Sequence, residues 1–162
     1  MKTNLEQLTE QTSTLIEAGN IKQLREFLDS LNISDVEDLI DELPEHASLL
    51  IDSMSLNRAT NVFRILDAPT QERIIKKLPG YKISDIINDL PPDDRTSFFG
   101  ELKDKDLLHR LVSLLSPEDR KIVFTLLSYP EDSVGRLMTP DFLAIDKTYT
   151  VEEALAYTRR NG

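Results

Sequence analysis

Apolar positions along the chain recur at helical spacing. Ile21, Leu24, Phe27, Leu28 and Leu31 form one stripe, and Leu107, Leu108, Leu111, Val112 and Leu115 form another. Ile122, Val123, Leu126 and Leu127 form a third, behind Ser116-Pro117-Glu118-Asp119. That opening combines an N-cap Ser, Pro at the first helical position and two acids at the positive end of the helix dipole. Asn20, after Gly19, is the matching N-cap of the first stripe. The pattern predicts short helices over roughly 3–18, 20–31, 34–42, 45–54, 56–66, 70–78, 84–90, 92–102, 105–115 and 117–128.

The helices look repeated. Leu43-Pro44-Glu45-His46, Leu66-Asp67-Ala68-Pro69, Leu90-Pro91-Pro92-Asp93 and Leu115-Ser116-Pro117-Glu118 each join a helix end to a proline-marked start. Ile33-Ser34-Asp35 returns as Ile83-Ser84-Asp85. Together they suggest a helix-turn-helix unit of about 47–50 residues, near the period of HEAT or armadillo arrays. The predicted fold is therefore all-α, a right-handed superhelical array of short helices, HEAT/armadillo- or FliG-like. Neighbouring units must stack, because one unit cannot bury its apolar face alone.

The texture changes near residue 129. Tyr129-Pro130-Glu131-Asp132-Ser133-Val134-Gly135 ends the last long helix, and Phe142-Leu143-Ala144-Ile145 reads as a short strand. Thr150-Val151-Glu152-Glu153 is a capping box leading into Ala154-Leu155-Ala156-Tyr157. One strand and one helix make no stable unit by themselves. The expected division is a helical domain over 1–128, a junction over 129–140, and over 141–162 the interrupted start of an α/β domain.

Composition mainly removes possibilities. The 162 residues carry 19 Lys+Arg against 29 Asp+Glu, a net charge of −10. That balance disfavours nucleic acid and anionic lipid as partners, since both need a basic face. Cysteine is absent, which removes disulfides, thiolate metal sites and Cys nucleophiles. No apolar run approaches the ~18 residues needed to span a bilayer, and the polar N-terminus is no secretory signal. His46 and His109 lack companion ligands, and the five glycines assemble no phosphate-cradling loop. No nucleophile elbow is present either, so the chain is not expected to be an enzyme.

The junction Tyr129-Pro130-Glu131-Asp132-Ser133-Val134-Gly135-Arg136-Leu137-Met138-Thr139 resembles that of MgtE-type magnesium transporters, where a helical N-domain meets the first of two CBS (cystathionine-β-synthase-like) domains. The upstream Leu-Pro-Pro-Asp-Asp-Arg and Leu-Ser-Pro-Glu-Asp-Arg elements are similar to that N-domain, and Phe142 to Arg160 is similar to the opening of a CBS module. The resemblance implies a piece of a homodimeric membrane protein, lying on the cytoplasmic side and working with the CBS and transmembrane domains of the same polypeptide. It implies regulatory, low-affinity Mg2+ bridging acidic domain surfaces and holding a pore closed. A CBS fold can bind adenine nucleotides, but the portion present is too short to build that pocket.

The charge distribution agrees with ion bridging. Residues 31–60 contain Asp35, Glu37, Asp38, Asp41, Glu42, Glu45 and Asp52 against Arg58 alone. Asp38 with Glu42, and Glu37 with Asp41, set like charges on one helix face, costing about 0.2–0.5 kcal/mol per pair in an isolated helix. Mg2+ needs only one or two carboxylates within its hydration shell. Asp93 and Asp94 are the first candidate ligands, since they follow the tandem prolines in the segment most similar to the family's acidic positions. Glu45 and then Glu42 follow. Glu118 and Asp119 occupy the same place one repeat later, but pairing with Arg120 and Lys121 suggests a structural role. The competing readings are a solvated acidic face and a helical-repeat scaffold for a protein partner without ion sensing.

Overall fold

The computed structural model describes residues 4–140 and 142–161, and the predicted helix start at residue 3 falls outside them. Five helices, α1 (Asn4–Glu17), α3 (Ile33–Glu42), α5 (Leu56–Phe63), α7 (Gly80–Asp89) and α9 (Lys105–Ser113), alternate with α2 (Ile21–Ser30), α4 (Ala47–Ser53), α6 (Ala68–Lys77), α8 (Pro92–Glu101) and α10 (Pro117–Leu127). A short α11 (Val134–Leu137) and α12 (Val151–Asn161) complete the described residues. All ten predicted helices are present, with ends shifted by a few residues.

The helices stack as two rows. In one, α1 packs on α3, α3 on α5 and α5 on α7; in the other, α2 packs on α4, α4 on α6, α6 on α8 and α8 on α10. The second row begins at Ile21, Ala47, Ala68, Pro92 and Pro117, so one unit is a helix pair of about 24 residues. The array is thus as expected but its period is half the 47–50 that the sequence suggests. Helices of about ten residues let a pair fit into that shorter unit, and the proline-marked junctions recur once per pair.

Between the rows lies one continuous core, running from Leu24 and Leu28 through Leu39, Leu50, Phe63, Ile74 and Ile86 to Leu111 and Val123. Phe63 of α5 and Phe98 of α8 meet edge to face, with ring centroids 5.3 Å apart. Gly19 lets the chain reverse between α1 and α2: its φ of 63° is left-handed, and the Asn20 and Gly19 amides donate to Leu15 and Ile16 carbonyls. This is the Schellman ending that favours glycine. The Asn20 side chain then accepts from the Gln23 amide, as predicted.

Helix ends are closed by cations from neighbouring helices. Arg58 of α5 donates to the Leu28 and Leu31 carbonyls at the end of α2. Lys82, 24 positions on in α7, donates to Met54 and Asp52 carbonyls at the end of α4, at 2.8 and 3.2 Å. In the second row, Arg95 reaches Leu90 O at 2.9 Å and Arg120 reaches Leu115 O at 3.0 Å. A cation at the negative end of a helix satisfies carbonyls that have no partner within it.

After α10 the character changes. The capping box forms: Thr150 N–H donates to Glu153 and Glu153 N–H donates to the Thr150 hydroxyl. Phe142 to Ile145 is not a strand, because the described residues offer it no second strand to pair with. No residue of α12 is buried, and Phe142, Val151 and Leu155 stand exposed. Among the described residues, no helix is long and apolar enough to cross a membrane.

Candidate functional site

The acidic surface follows from where the cations go. Arg58, the lone cation of residues 31–60, turns its guanidinium onto carbonyls and away from the carboxylates. Arg25 does the same, donating to Ser53 O at 2.7 Å. Asp38, Asp41, Glu42 and Glu45 lie on α3 and the turn after it, and all four are exposed. His46 Nε2 lies 4.0 Å from the Glu45 carboxylate.

Asp93 and Asp94 lie in the first turn of α8, whose N-cap is Pro91. Proline has no side-chain acceptor, so these two carboxylates are what complements the positive helix end. They differ in surroundings. Asp94 Oδ2 sits 2.6 Å from Arg64 Nη2 of α5 in an ion pair that lacks hydrogen-bond alignment. Asp93 is half-buried and makes no hydrogen bond or ion pair with the described residues. It is the better-placed of the two to accept a cation from outside the array.

Asp119 is structural, though by a different partner from the one expected. Its carboxylate accepts from the Ser116 hydroxyl at 2.7 Å and from Arg95 Nη1 at 3.0 Å, while Arg120 is turned onto Leu115 O. The Ser116 hydrogen bond first, and the Arg95 guanidinium second, hold its carboxyl below the usual carboxylate range. The two Asp-Arg elements therefore interlock: the Arg of the first binds the Asp of the second across α8 and α10. Sequence reasoning missed these clasps, although the third-residue register of Arg58 and Lys82 and the fourth-residue register of Arg95 and Arg120 were visible signals.

Asp93, Asp94, Glu45 and Glu42 do not converge. Among the described residues no three His, Asp or Glu side chains lie together as a metal centre. What the array presents is separate carboxylates on an under-neutralised surface, able to supply one or two ligands at each place to a hydrated cation held against another surface.

The family model for the MgtE intracellular N domain matches residues 45–132, over half of the chain. The chain belongs to the MgtE family. It is 32% identical to the magnesium transporter MgtE of Thermus thermophilus over 158 residues, covering 96% of this chain and 35% of the relative. It is 27% identical to the magnesium transporter MgtE of Bacillus subtilis over 142 residues, covering 87% of this chain and 31% of that one. The chain thus spans about a third of the length of these MgtE relatives. A solved structure of the cytosolic domain of the Mg2+ channel MgtE in complex with ATP superposes with a TM-score of 0.87 at 31% identity, covering 94% of this chain and 63% of that one.

Proposed function

We propose that this MgtE chain is a cytosolic Mg2+-sensing region of a magnesium transporter, regulating a pore by Mg2+-bridged contacts between acidic domain surfaces. The observation that carries this reading is the inward turn of the cations. Arg25, Arg58 and Lys82 bind helix-end carbonyls, so the carboxylates of α3 and Asp93 of α8 keep their full demand for a countercharge. Facing another acidic surface, they repel it in the absence of divalent ions and are bridged to it in their presence. Asp93 is the leading ligand, then Asp94, Glu45 and Glu42, and the role is regulatory and not enzymatic.

Residues 141–162 fit the opening of a first CBS domain, with 129–140 as the junction. The exposed apolar side chains Phe142, Val151 and Leu155 support this, since they need a covering that the helical array does not supply. The other partners in this reading are the transmembrane domain of the same polypeptide and a second subunit in a homodimer.

The test is limited proteolysis of the full-length transporter in millimolar Mg2+, Ca2+ or chelator, with an ATP arm to separate nucleotide protection. Mg2+ is expected to slow cleavage at the junction; identical digestion with Mg2+ and with chelator would sink the proposal. Asp93→Asn with Asp94→Asn is expected to raise the Mg2+ midpoint about fivefold or more. An unchanged midpoint would move the site elsewhere.

A further inference from the structure

Arg25, Arg58, Lys82, Arg95 and Arg120 all donate to main-chain carbonyls at or just beyond the end of another helix. Arg64, the residue that ends α5, does not. Among the described residues the polar partner of its guanidinium is Asp94, with Nη2 2.6 Å from Oδ2. That carboxylate oxygen has almost no surface left to solvent and no aligned hydrogen bond. The two side chains as wholes stay open, 39% exposed at Arg64 and 30% at Asp94. Asp93 precedes Asp94 directly, and consecutive helical residues point about 100° apart. One carboxylate of the first turn of α8 is thus committed to α5 while its neighbour has no partner.

An ion pair this open contributes little net stability and exchanges readily, because water screens both charges. A hydrated divalent cation seeks the same carboxylate oxygens that a guanidinium holds. The two therefore compete at Asp94, and only the guanidinium is tethered there by the chain.

We propose that Arg64 is a resident counter-cation of Asp94, which a divalent ion must displace before both carboxylates of the first turn of α8 can serve it. Arg64 thereby raises the ion concentration at which that turn is occupied. The inference rests on the ion-sensing reading for its biological meaning and deepens it, naming the group that sets the threshold of the site. A mere tether between α5 and α8 would hold the helices together and leave ion affinity alone.

Mn2+, which takes the same oxygen ligands as Mg2+, is the probe. It is titrated into the isotopically labelled chain, and the concentration that half-broadens the Asp93 and Asp94 amide signals is read, with the Glu45 amide as reference. Arg64→Gln is expected to lower that concentration about fivefold, with Glu45 unmoved. Arg64→Lys keeps the charge and is expected to stay within about twofold of the parent. Lys22→Gln removes a cation paired with Glu26 on α2 and is expected to leave the α8 signals unchanged, which separates local competition from net charge. Adding Asp94→Asn to Arg64→Gln is expected to return the Asp93 signal to the parent concentration. An unchanged concentration in Arg64→Gln overturns the proposal and leaves Arg64 a tether. A gain that survives Asp94→Asn also overturns it, since Arg64 then acts as a general positive charge and not through Asp94. Circular dichroism monitors folding, and Arg64→Met, which keeps the apolar stem, takes the place of Arg64→Gln if that variant unfolds. In the full-length transporter, Arg64→Gln is expected to lower the Mg2+ midpoint for protection against proteolysis, and an unchanged midpoint beside a Mg2+-sensitive parent counts against the proposal. A parent whose digestion ignores Mg2+ sinks ion sensing alone, while the Mn2+ contrast still decides the role of Arg64.

Discussion

Arg95 and Asp119 show how one side chain can set the charge of a surface. Arg95 is buried, donates to Leu90 and Asn88 carbonyls, and its remaining contact is the Asp119 carboxylate at 3.0 Å. An amide in place of the carboxylate removes the charge and leaves one acceptor oxygen where Ser116 and Arg95 now use two, although partial solvent access at Asp119 softens the loss. Asp119→Asn is expected to cost about 1–2 kcal/mol at pH 7, read from urea denaturation. The pH dependence follows from the direction of its shift. Ser116 and Arg95 hold the folded-state carboxyl below its unfolded value, so its contribution is present above about pH 4 and is lost as pH falls through the lowered value. The gap between parent and variant is therefore expected to close on acidification below about pH 4. A constant gap would show that Asp119 acts through packing and not through its charge.

Local rules govern most elements, and those are legible. Asn20, Ser116 and the Thr150–Glu153 box are sequence signals whose hydrogen bonds are short-range, and each forms as expected. The repeat period comes out doubled in sequence because Ile33-Ser34-Asp35 and Ile83-Ser84-Asp85 lie two units apart, and the short triplet outweighs the spacing of the proline junctions. Asp119 shows a different limit: its partner lies 24 residues away on a stacked helix, and no local pattern selects Arg95 over the adjacent Arg120. Helix α11 is hidden for a related reason, since its four residues depend on contacts with α8 and α10. The candidate carboxylates are visible as composition, but that Asp94 pairs with Arg64, while Arg25, Arg58 and Lys82 turn to carbonyls, is decided by tertiary placement. Gly19 offers a clean test at this scale. A Cβ there meets nothing within 4 Å, so only its left-handed φ resists substitution. Gly19→Ala is expected to lower stability by about 1 kcal/mol, with the loss seen in the thermal midpoint and helix content preserved. No loss would mean that the turn relaxes to another geometry.

At the scale of the molecule, an MgtE array that turns cations inward accepts self-repulsion on its outside. Helix α3 carries Asp35, Glu37, Asp38, Asp41 and Glu42, with no basic residue in its last turn, where cations are favoured. A surface selected only for stability or solubility would place a lysine there. Glu42→Lys converts the like-charged Asp38–Glu42 pair into an attractive i,i+4 pair in the favourable orientation and puts a cation at the negative helix end. The expected gain is about 0.5–1 kcal/mol without Mg2+, measured by thermal melting. If the acidic face exists to be bridged, the same substitution weakens Mg2+ protection of the full-length transporter against proteolysis, and the stability gain accompanies a loss of response. If the face serves solubility alone, stability rises and the Mg2+ response is unchanged. The two readings predict the same sign for the first measurement and different results for the second, so one variant assayed both ways separates them.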